Sequence, residues 1–434
     1  MRITTIVDWF VIIVSIVFQL SIIPAFLFDG LPFNSVYALT LFLITFQIVR
    51  FGGRFPFIKC IKVHLFQIYF LIYLTDVISC IIVKGTGLQV LFRMVNMMLF
   101  LNYIYNVFLE NTNKDWFYNI KRIMWPYFSF AAYNAFIVTI LFIWFFLGLD
   151  YLQNPLPYDL STIEDNTLNG IQYYFPYYLS VASDYHPMFG YPVFTGLFHE
   201  PHIINFFSLP ALFWGTLLVR NTKLRFLVIC CFIALLANTI STTAIVCVGV
   251  VWFTETIWSA IISRKYMFFL LTSLLMIFAI ITFANYFDEV ITLMTFKMEG
   301  GDSSQGTSST MLKYLMSFDQ LIGEGNCPQK YGEALKGQSA GMITAILDFS
   351  LFFYMLFLTV KSVISRDKKL HYIGLGCLYF LLHCLKVNYL AFQYPYLAYI
   401  LFVIYIQDKY STSKKHLALK MHPRNYKEKY EKNI

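Results

Sequence analysis

Ionisable side chains inside otherwise apolar runs are costly in lipid and persist where they face a partner, a cavity or an ion path. In this chain they are Asp76, Arg93, Asp348, His383 and Lys386, with Asp8 and Glu255 set apart from them. A carboxylate can take a proton, an imidazole can pass one on, and a guanidinium or ammonium can hold an anion. A second group, His199-Glu200-Pro201-His202, closes a long polar stretch and leads straight into an apolar run. Its second His stands three positions after the first and Pro201 interrupts any helix through it, so it is not the zinc site of a metalloprotease. There is no Walker loop, dinucleotide glycine fingerprint or paired Cys-x-x-Cys, and Gly323-Glu324-Gly325 is too short to cradle a phosphate. We therefore expect neither a metal nor a cofactor.

The elements that must position these groups are membrane helices. Of 434 residues, 58% are hydrophobic and 13% charged, whereas a soluble domain has roughly 45–50% and about 25%. The apolar residues come in runs of about twenty, the length that crosses a bilayer. Their windows predict spans near 6–28, 34–49, 64–83, 88–109, 124–149, 201–219, 225–241, 242–261, 266–286, 341–360, 370–386 and 394–407. The expected fold class is an all-α polytopic integral membrane protein with about 12 transmembrane helices and two large outward-facing loops. In chain order this gives five spans in 1–149, a first loop in 150–200, four spans in 201–286, a second loop in 287–340, three spans in 341–407 and a basic tail in 408–434.

Charge sets the expected orientation. The run from Trp9 to Phe28 follows Arg2, carries no small-residue cleavage site and reads as a retained span. With Arg2 in the cytoplasm, most of the 32 Lys and Arg fall in inward connectors and the tail, among them Arg50, Lys121, Arg122, Arg225 and Lys369. That asymmetry predicts a multi-pass membrane protein with both termini cytoplasmic. The net charge of +8 follows from topology, and nucleic acid is not an expected partner because no basic patch is interleaved with aromatics. Six of the eight cysteines lie in apolar runs, Cys60 lies in a basic connector and Cys327 in a polar loop, so no structural disulfide is expected. On this orientation Asp76 and Arg93 both lie roughly 8–11 Å below the outer surface, at about 1.5 Å per residue, and could pair. Asp348 has a similar depth, and His383 and Lys386 close the outer end of their span.

The two outward loops, each roughly fifty residues against a usual connection of about 4–6, are both acidic. The first holds Tyr151, Tyr158, Tyr173, Tyr174, Tyr177, Tyr178, Tyr185 and Tyr191. Such rings stack on sugars, and they also gather at membrane interfaces, which is the reading favoured here. In the second loop, Leu312, Leu315, Met316 and Ile322 recur at helical spacing, with Ser309 or Thr310 as a cap, Gly323 as a stop, and Lys313, Ser317 and Gln320 on the opposite face. The plainer reading is an amphipathic helix on the outer leaflet, ahead of a ligand-facing one.

The stretch Gly196-Leu197-Phe198-His199-Glu200-Pro201-His202 resembles the G-L-F-x-E-P sequence that ends the first large external loop of O-antigen polymerases. Gly300-Gly301, Ser308-Ser309 and the run to Leu321-Ile322-Gly323-Glu324-Gly325-Asn326 are similar to the second large loop of that family, and Ser241-Thr242-Thr243 to a Ser/Thr-rich point within it. The architecture agrees over nearly the full chain. Members often carry an Arg shortly before G-L-F and another after the Ser pair; here those neighbourhoods hold no Arg, and Lys313 stands near the second. Lysine supplies a point charge without the bidentate fork of arginine.

The resemblance implies a bacterial inner (cytoplasmic) membrane protein and glycan polymerisation at the outer face of that membrane. A growing chain would leave its undecaprenyl diphosphate carrier for a newly flipped lipid-linked unit. That reaction needs an acceptor hydroxyl beside the donor anomeric carbon, a base, and cations to steady the departing diphosphate. On this expectation Glu200 or His199, with His202 as an alternative, handles the acceptor proton. Arg93, Lys313 and Lys386 face the diphosphate, and Asp76 orients Arg93. The partners implied are undecaprenyl-diphosphate-linked oligosaccharides, membrane lipids and, as a candidate, a chain-length regulator. Beside these roles stand plainer ones: Glu200 as a charge favoured at a helix N-terminus, and Asp76–Arg93 as a structural pair. The rival functions are an O-antigen ligase, which shares the donor, and a lipid-linked oligosaccharide flippase or transporter, which would line a route through both leaflets with polar groups.

Overall fold

A computed structural model of the chain describes residues 3–20, 32–53, 64–84, 88–109, 116–148, 156–157, 172–174, 180–185, 192–198, 201–239, 241–263, 274, 320–323 and 341–384. Among them are α1 (Ile3–Leu20), α2 (Pro32–Phe51), α3 (His64–Lys84), α4 (Leu88–Leu109) and α5 (Trp116–Phe146). Four strands follow: β1 (Leu156–Pro157), β2 (Gln172–Tyr174), β3 (Ser180–Tyr185) and β4 (Pro192–Phe194). The remaining helices are α6 (Pro201–Leu218), α7 (Thr222–Thr239), α8 (Thr242–Ser263), α9 (Met342–Val363) and α10 (Lys368–Cys384).

The described residues are mostly helical, and five stretches, in α4, α5, α7, α8 and α9, are long and apolar enough to cross a membrane. Leu227 and Ile233 on α7, Phe253 on α8, and Phe353 and Phe357 on α9 are large apolar side chains exposed on the outside, a surface suited to lipid. Apart from Leu274, the expected span at 266–286 lies outside the described residues, as does that at 394–407.

Side-chain caps explain the abrupt turns between helices. Asn221 Oδ1 accepts the backbone N–H of Lys223 at 3.0 Å and of Leu224 at 3.3 Å, satisfying donors that the start of α7 cannot pair internally. Ser241 does the same for α8, accepting from Ala244 at 3.4 Å, and Asp367 for α10, accepting from Lys369 at 2.9 Å. The turn read from Asn238 to Thr243 falls between α7 and α8.

Helices α6 and α10 form the centre. α10 packs on α6, α8 and α9, and α6 on α5 and α7. Gly376 lets α10 approach so closely that a Cβ there would lie 2.2 Å from Trp214 Nε1, and small residues at such crossings are what helices in lipid use to gain packing contact. Trp214 and Tyr127 are fully buried, with ring centroids 5.1 Å apart. On one flank α3 packs on α4 and α9; on the other α1 packs on α2 and α5.

One end of the bundle is closed by ion pairs. Asp8, wholly buried, accepts from Arg50 Nε at 3.2 Å, from the Tyr103 hydroxyl at 2.8 Å and from Arg122 Nη2. At the same end Lys369 lies 4.5 Å over the ring of Phe117, which brings the α9–α10 connection beside the start of α5. There Glu255 meets His371 Nε2, while His371 Nδ1 lies 2.6 Å from the Val363 carbonyl. The end of α3, the start of α9 and the end of α10 therefore lie at the opposite end.

The structure corrects the sequence reading in several ways. The chain is not all-α: residues of the first loop form a four-stranded antiparallel meander in the order β1-β2-β3-β4, with Tyr173 opposite Val181 and Ala182 opposite Phe194. The strands are too short for an alternating pattern to stand out. α5 begins at Trp116 and not near 124, taking Lys121 and Arg122 into the helix, because Arg122 has a buried carboxylate to meet. The end of the expected loop helix is a bend at Gln320–Ile322. Its carbonyls are used elsewhere: Gln320 O accepts from Met342 N–H at 3.0 Å and Leu321 O from Ile343 N–H at 3.3 Å, capping α9. The rest of that helix, 309–319, lies outside the described residues. Finally, Cys80 is disulfide-bonded, against the expectation of no structural disulfide; its partner lies outside the described residues.

Candidate functional site

Tyr69, Tyr73 and Asp76 stand at i, i+4 and i+7 on α3, a spacing that puts them on one helix face, and all three are buried. That face meets α4, which carries Arg93, and α9, which carries Asp348. Tyr73 lies within electrostatic reach of both Asp76 and Arg93. Tyr69 lies within reach of Tyr73, Asp348 and Cys384. Asp76 is wholly buried, whereas Arg93 is half-buried and can serve an anion at the edge of the bundle. Asp348 is 7% exposed, and its Oδ1 has no hydrogen-bond partner among the described residues. One turn from Arg93, Asn96 accepts from Thr40 Oγ1 at 2.7 Å and donates to the Val36 carbonyl at 3.0 Å. These bonds fix α4 against α2 and hold the height of Arg93.

A second polar group joins α6, α7, α10 and β4. The Tyr379 hydroxyl lies 3.2 Å from His383 Nδ1 and 3.2 Å from the Asn205 carbonyl. Asn205 Nδ2 donates to Thr239 Oγ1 at 2.8 Å, and Asn238 Nδ2 to the Phe194 carbonyl at 2.8 Å. All these side chains are buried. The last turns of α10 connect the two groups, because Tyr379 reaches Asn205 while Cys384 lies near Tyr69.

The segment Val193–Phe198 is buried against this second group. Its turn is closed by Phe198 N–H donating to the Thr195 carbonyl at 3.1 Å, and Asn134 Oδ1 accepts from Leu197 N–H at 3.0 Å. Gly196 has φ 60°, and a Cβ there would meet Asn134 Oδ1 at 2.6 Å, so the position demands glycine for both backbone angle and space. Asn134→Ala is expected to strand the buried Leu197 N–H at a cost of about 1–3 kcal/mol. Faster proteolysis after residue 198, with the rest of the chain intact, would register that loss; cleavage at the wild-type rate would count against it.

Of the residues singled out from sequence, Asp76 and Arg93 lie on adjoining helices of the first group. His202 falls in the first turn of α6. His199, Glu200, Lys313 and Lys386 lie outside the described residues; in sequence, Glu200 immediately precedes α6 and Lys386 follows α10 by two residues. Tyr69, Tyr73, Asn134, Asn205, Asn238 and Tyr379 were missed. The Tyr69-x3-Tyr73-x2-Asp76 stripe was legible as a polar face at helical spacing. The asparagines were not, since a lone amide in an apolar run looks the same whether it binds a neighbouring helix or its own backbone. Among the described residues, no three His, Cys, Asp or Glu side chains gather as a metal site would need. Comparison of the chain with protein-family models, curated proteins and solved structures gives no match.

Proposed function

We propose that the chain is a membrane glycosyltransferase that polymerises lipid-linked oligosaccharide repeat units, acting at the outward end of the bundle. The observation that carries the reading is the anchored turn Val193–Phe198. Buried amides hold it against the helices, and it runs into the His199-Glu200-Pro201 sequence just where α6 begins. α10 links this junction to the face that holds Asp76, Arg93 and Asp348. An acid or base at the junction and the Arg93 guanidinium on α4 are parts that transfer from a diphosphate carrier requires.

In the proposed reaction an acceptor hydroxyl attacks the donor anomeric carbon, and the bond from that carbon to the diphosphate oxygen breaks. The hydroxyl proton passes to Glu200 or His199, with His202 as the alternative. Arg93, Lys313 and Lys386 hold the departing undecaprenyl diphosphate, and Asp76 orients Arg93. The energy is already stored in the donor, so no nucleotide is consumed.

The test is the length distribution of surface glycan at matched protein levels in Glu200→Gln, Arg93→Ala and Lys313→Ala. A collapse toward single repeat units is expected. Normal long chains in all three would remove this site. In a deletion strain, unmodified core would favour ligation, and carrier-linked units retained on the cytoplasmic side would favour flipping.

A further inference from the structure

The eight cysteines divide unevenly. Cys230, Cys231, Cys247, Cys377 and Cys384 are free thiols, whereas Cys80, wholly buried near the end of α3, is disulfide-bonded. The sequence leaves Cys60 and Cys327 as candidates for its partner, and helix geometry separates them. α3 is continuous from His64 to Lys84, which puts Cys80 about 24 Å along the axis from His64 at 1.5 Å per residue. Cys60 precedes His64 by four residues, a length that reaches at most about 14 Å when fully extended. Even laid straight along the helix it stops about 10 Å short, and bridged Cα atoms sit no more than roughly 7 Å apart.

Cys327 meets no such limit. Four residues before it, Gly323 is packed on the start of α9, where a Cβ on Gly341 would lie 2.1 Å from the Gly323 nitrogen. Gly341 itself has φ 71°, so only glycine admits this contact. The start of α9 and the end of α3 lie at the same end of the bundle, and the two helices pack together. Taking the Tyr69–Asp348 neighbourhood as a common level, Cys80 stands about 16 Å higher along α3 and Met342 about 9 Å higher along α9. Cys80 thus rises past the opening of α9, beside the segment Gln320–Gly323, from which four residues can span about 14 Å.

We infer that Cys80 is bridged to Cys327, and that the end of the bundle carrying Asp76, Arg93 and Asp348 faces an oxidising compartment. In forming the bridge the two thiols give two electrons and two protons to the disulfide of a thiol oxidase, which leaves as a dithiol after exchange through a mixed disulfide. Such bonds persist in oxidising compartments and are rare in the cytosol, where thiols are kept reduced. The bridge fixes the sidedness of the bundle without reference to its Lys and Arg residues or to any glycan. It also ties the first half of the chain to the second, closing a loop of about 250 residues.

The full chain in native membranes tests this. Free thiols are alkylated under denaturing conditions, the sample is reduced, and newly exposed thiols are counted by the gel shift of a maleimide polymer. Two of the eight thiols are expected only after reduction, in the wild type and in Cys60→Ser, and none in Cys327→Ser. Mass spectrometry of an unreduced wild-type digest should join the Cys80 and Cys327 peptides, which keeps the test open should a variant fail to fold. All eight thiols reactive before reduction, or a bridge lost in Cys60→Ser and kept in Cys327→Ser, would overturn the assignment. An intact bridge in a chain whose deletion leaves glycan length unchanged would overturn the polymerase reading alone.

Discussion

Asp8→Ala is expected to be the most destabilising single substitution among the described residues, costing about 3–5 kcal/mol, the usual penalty for removing one partner of a buried ion pair. Asp8 is wholly buried, and its two oxygens take Arg50, Arg122 and Tyr103. These partners come from α2, α5 and α4, so a single carboxylate on α1 holds four helices at one end. Removing it leaves two guanidiniums facing each other with no counter-charge in a site of low polarity. The penalty comes from the stranded charges and not from lost attraction alone. Asp8→Ala combined with Arg50→Leu and Arg122→Leu should therefore recover much of the loss, because an apolar replacement of a whole buried cluster is often neutral or better. Thermal unfolding in detergent measures both. A single variant within about 1 kcal/mol of wild type would refute the clamp, since that is the worth of an exposed pair.

The clamp also illustrates what could be read from the sequence. Helices announce themselves by apolar runs and are punctuated by Asn221, Ser241 and Asp367, whose side chains accept backbone N–H groups at helix starts. That logic is local, and local logic is visible in a sequence. Arg122 was assigned to a connector because charge normally ends a span; it lies inside α5 because Asp8, more than one hundred residues earlier, neutralises it. The β1–β4 meander escaped for a related reason. Strands of two to six residues draw their stability from cross-strand neighbours and not from their own pattern. At the site, Asp76 and Arg93 stood out as charges in apolar runs, whereas the amides that hold Val193–Phe198 depend on partners from other helices. The Cys80 bridge was missed because thiols in apolar runs are ordinarily inert, and only the three-dimensional course of α3 shows which end of the helix its sulfur occupies.

Asp348→Leu is expected to separate stability from activity in opposite directions. Asp8 and Asp348 are both buried acids in apolar helices, yet Asp8 has three donors, whereas Asp348 Oδ1 has no hydrogen-bond partner among the described residues. Burying an unsatisfied polar group costs about 1–3 kcal/mol; leucine branches at the same carbon and carries no such cost, and although it is larger, Asp348 is not sealed off completely at 7% exposure. The substitution should therefore raise thermal stability by about that amount. A group retained at a standing cost is a candidate for work done in binding or proton transfer, and Asp348 lies near Tyr69 on the face shared with Asp76. On the polymerase function proposed above, surface glycan in Asp348→Leu should accordingly collapse toward single repeat units although the protein is more stable. Asp348→Asn, which keeps the shape and removes the charge, should shorten the glycan as well. If Asp348→Leu and the near-isosteric Asp348→Asn both lower stability, the carboxylate has a structural partner and its burial is an ordinary packing feature. If Asp348→Leu raises stability while glycan length stays normal, the face lined by Tyr69, Tyr73 and Asp348 lies outside the proposed reaction, and the proposed diphosphate site is to be sought nearer Lys313 and Lys386 in the sequence.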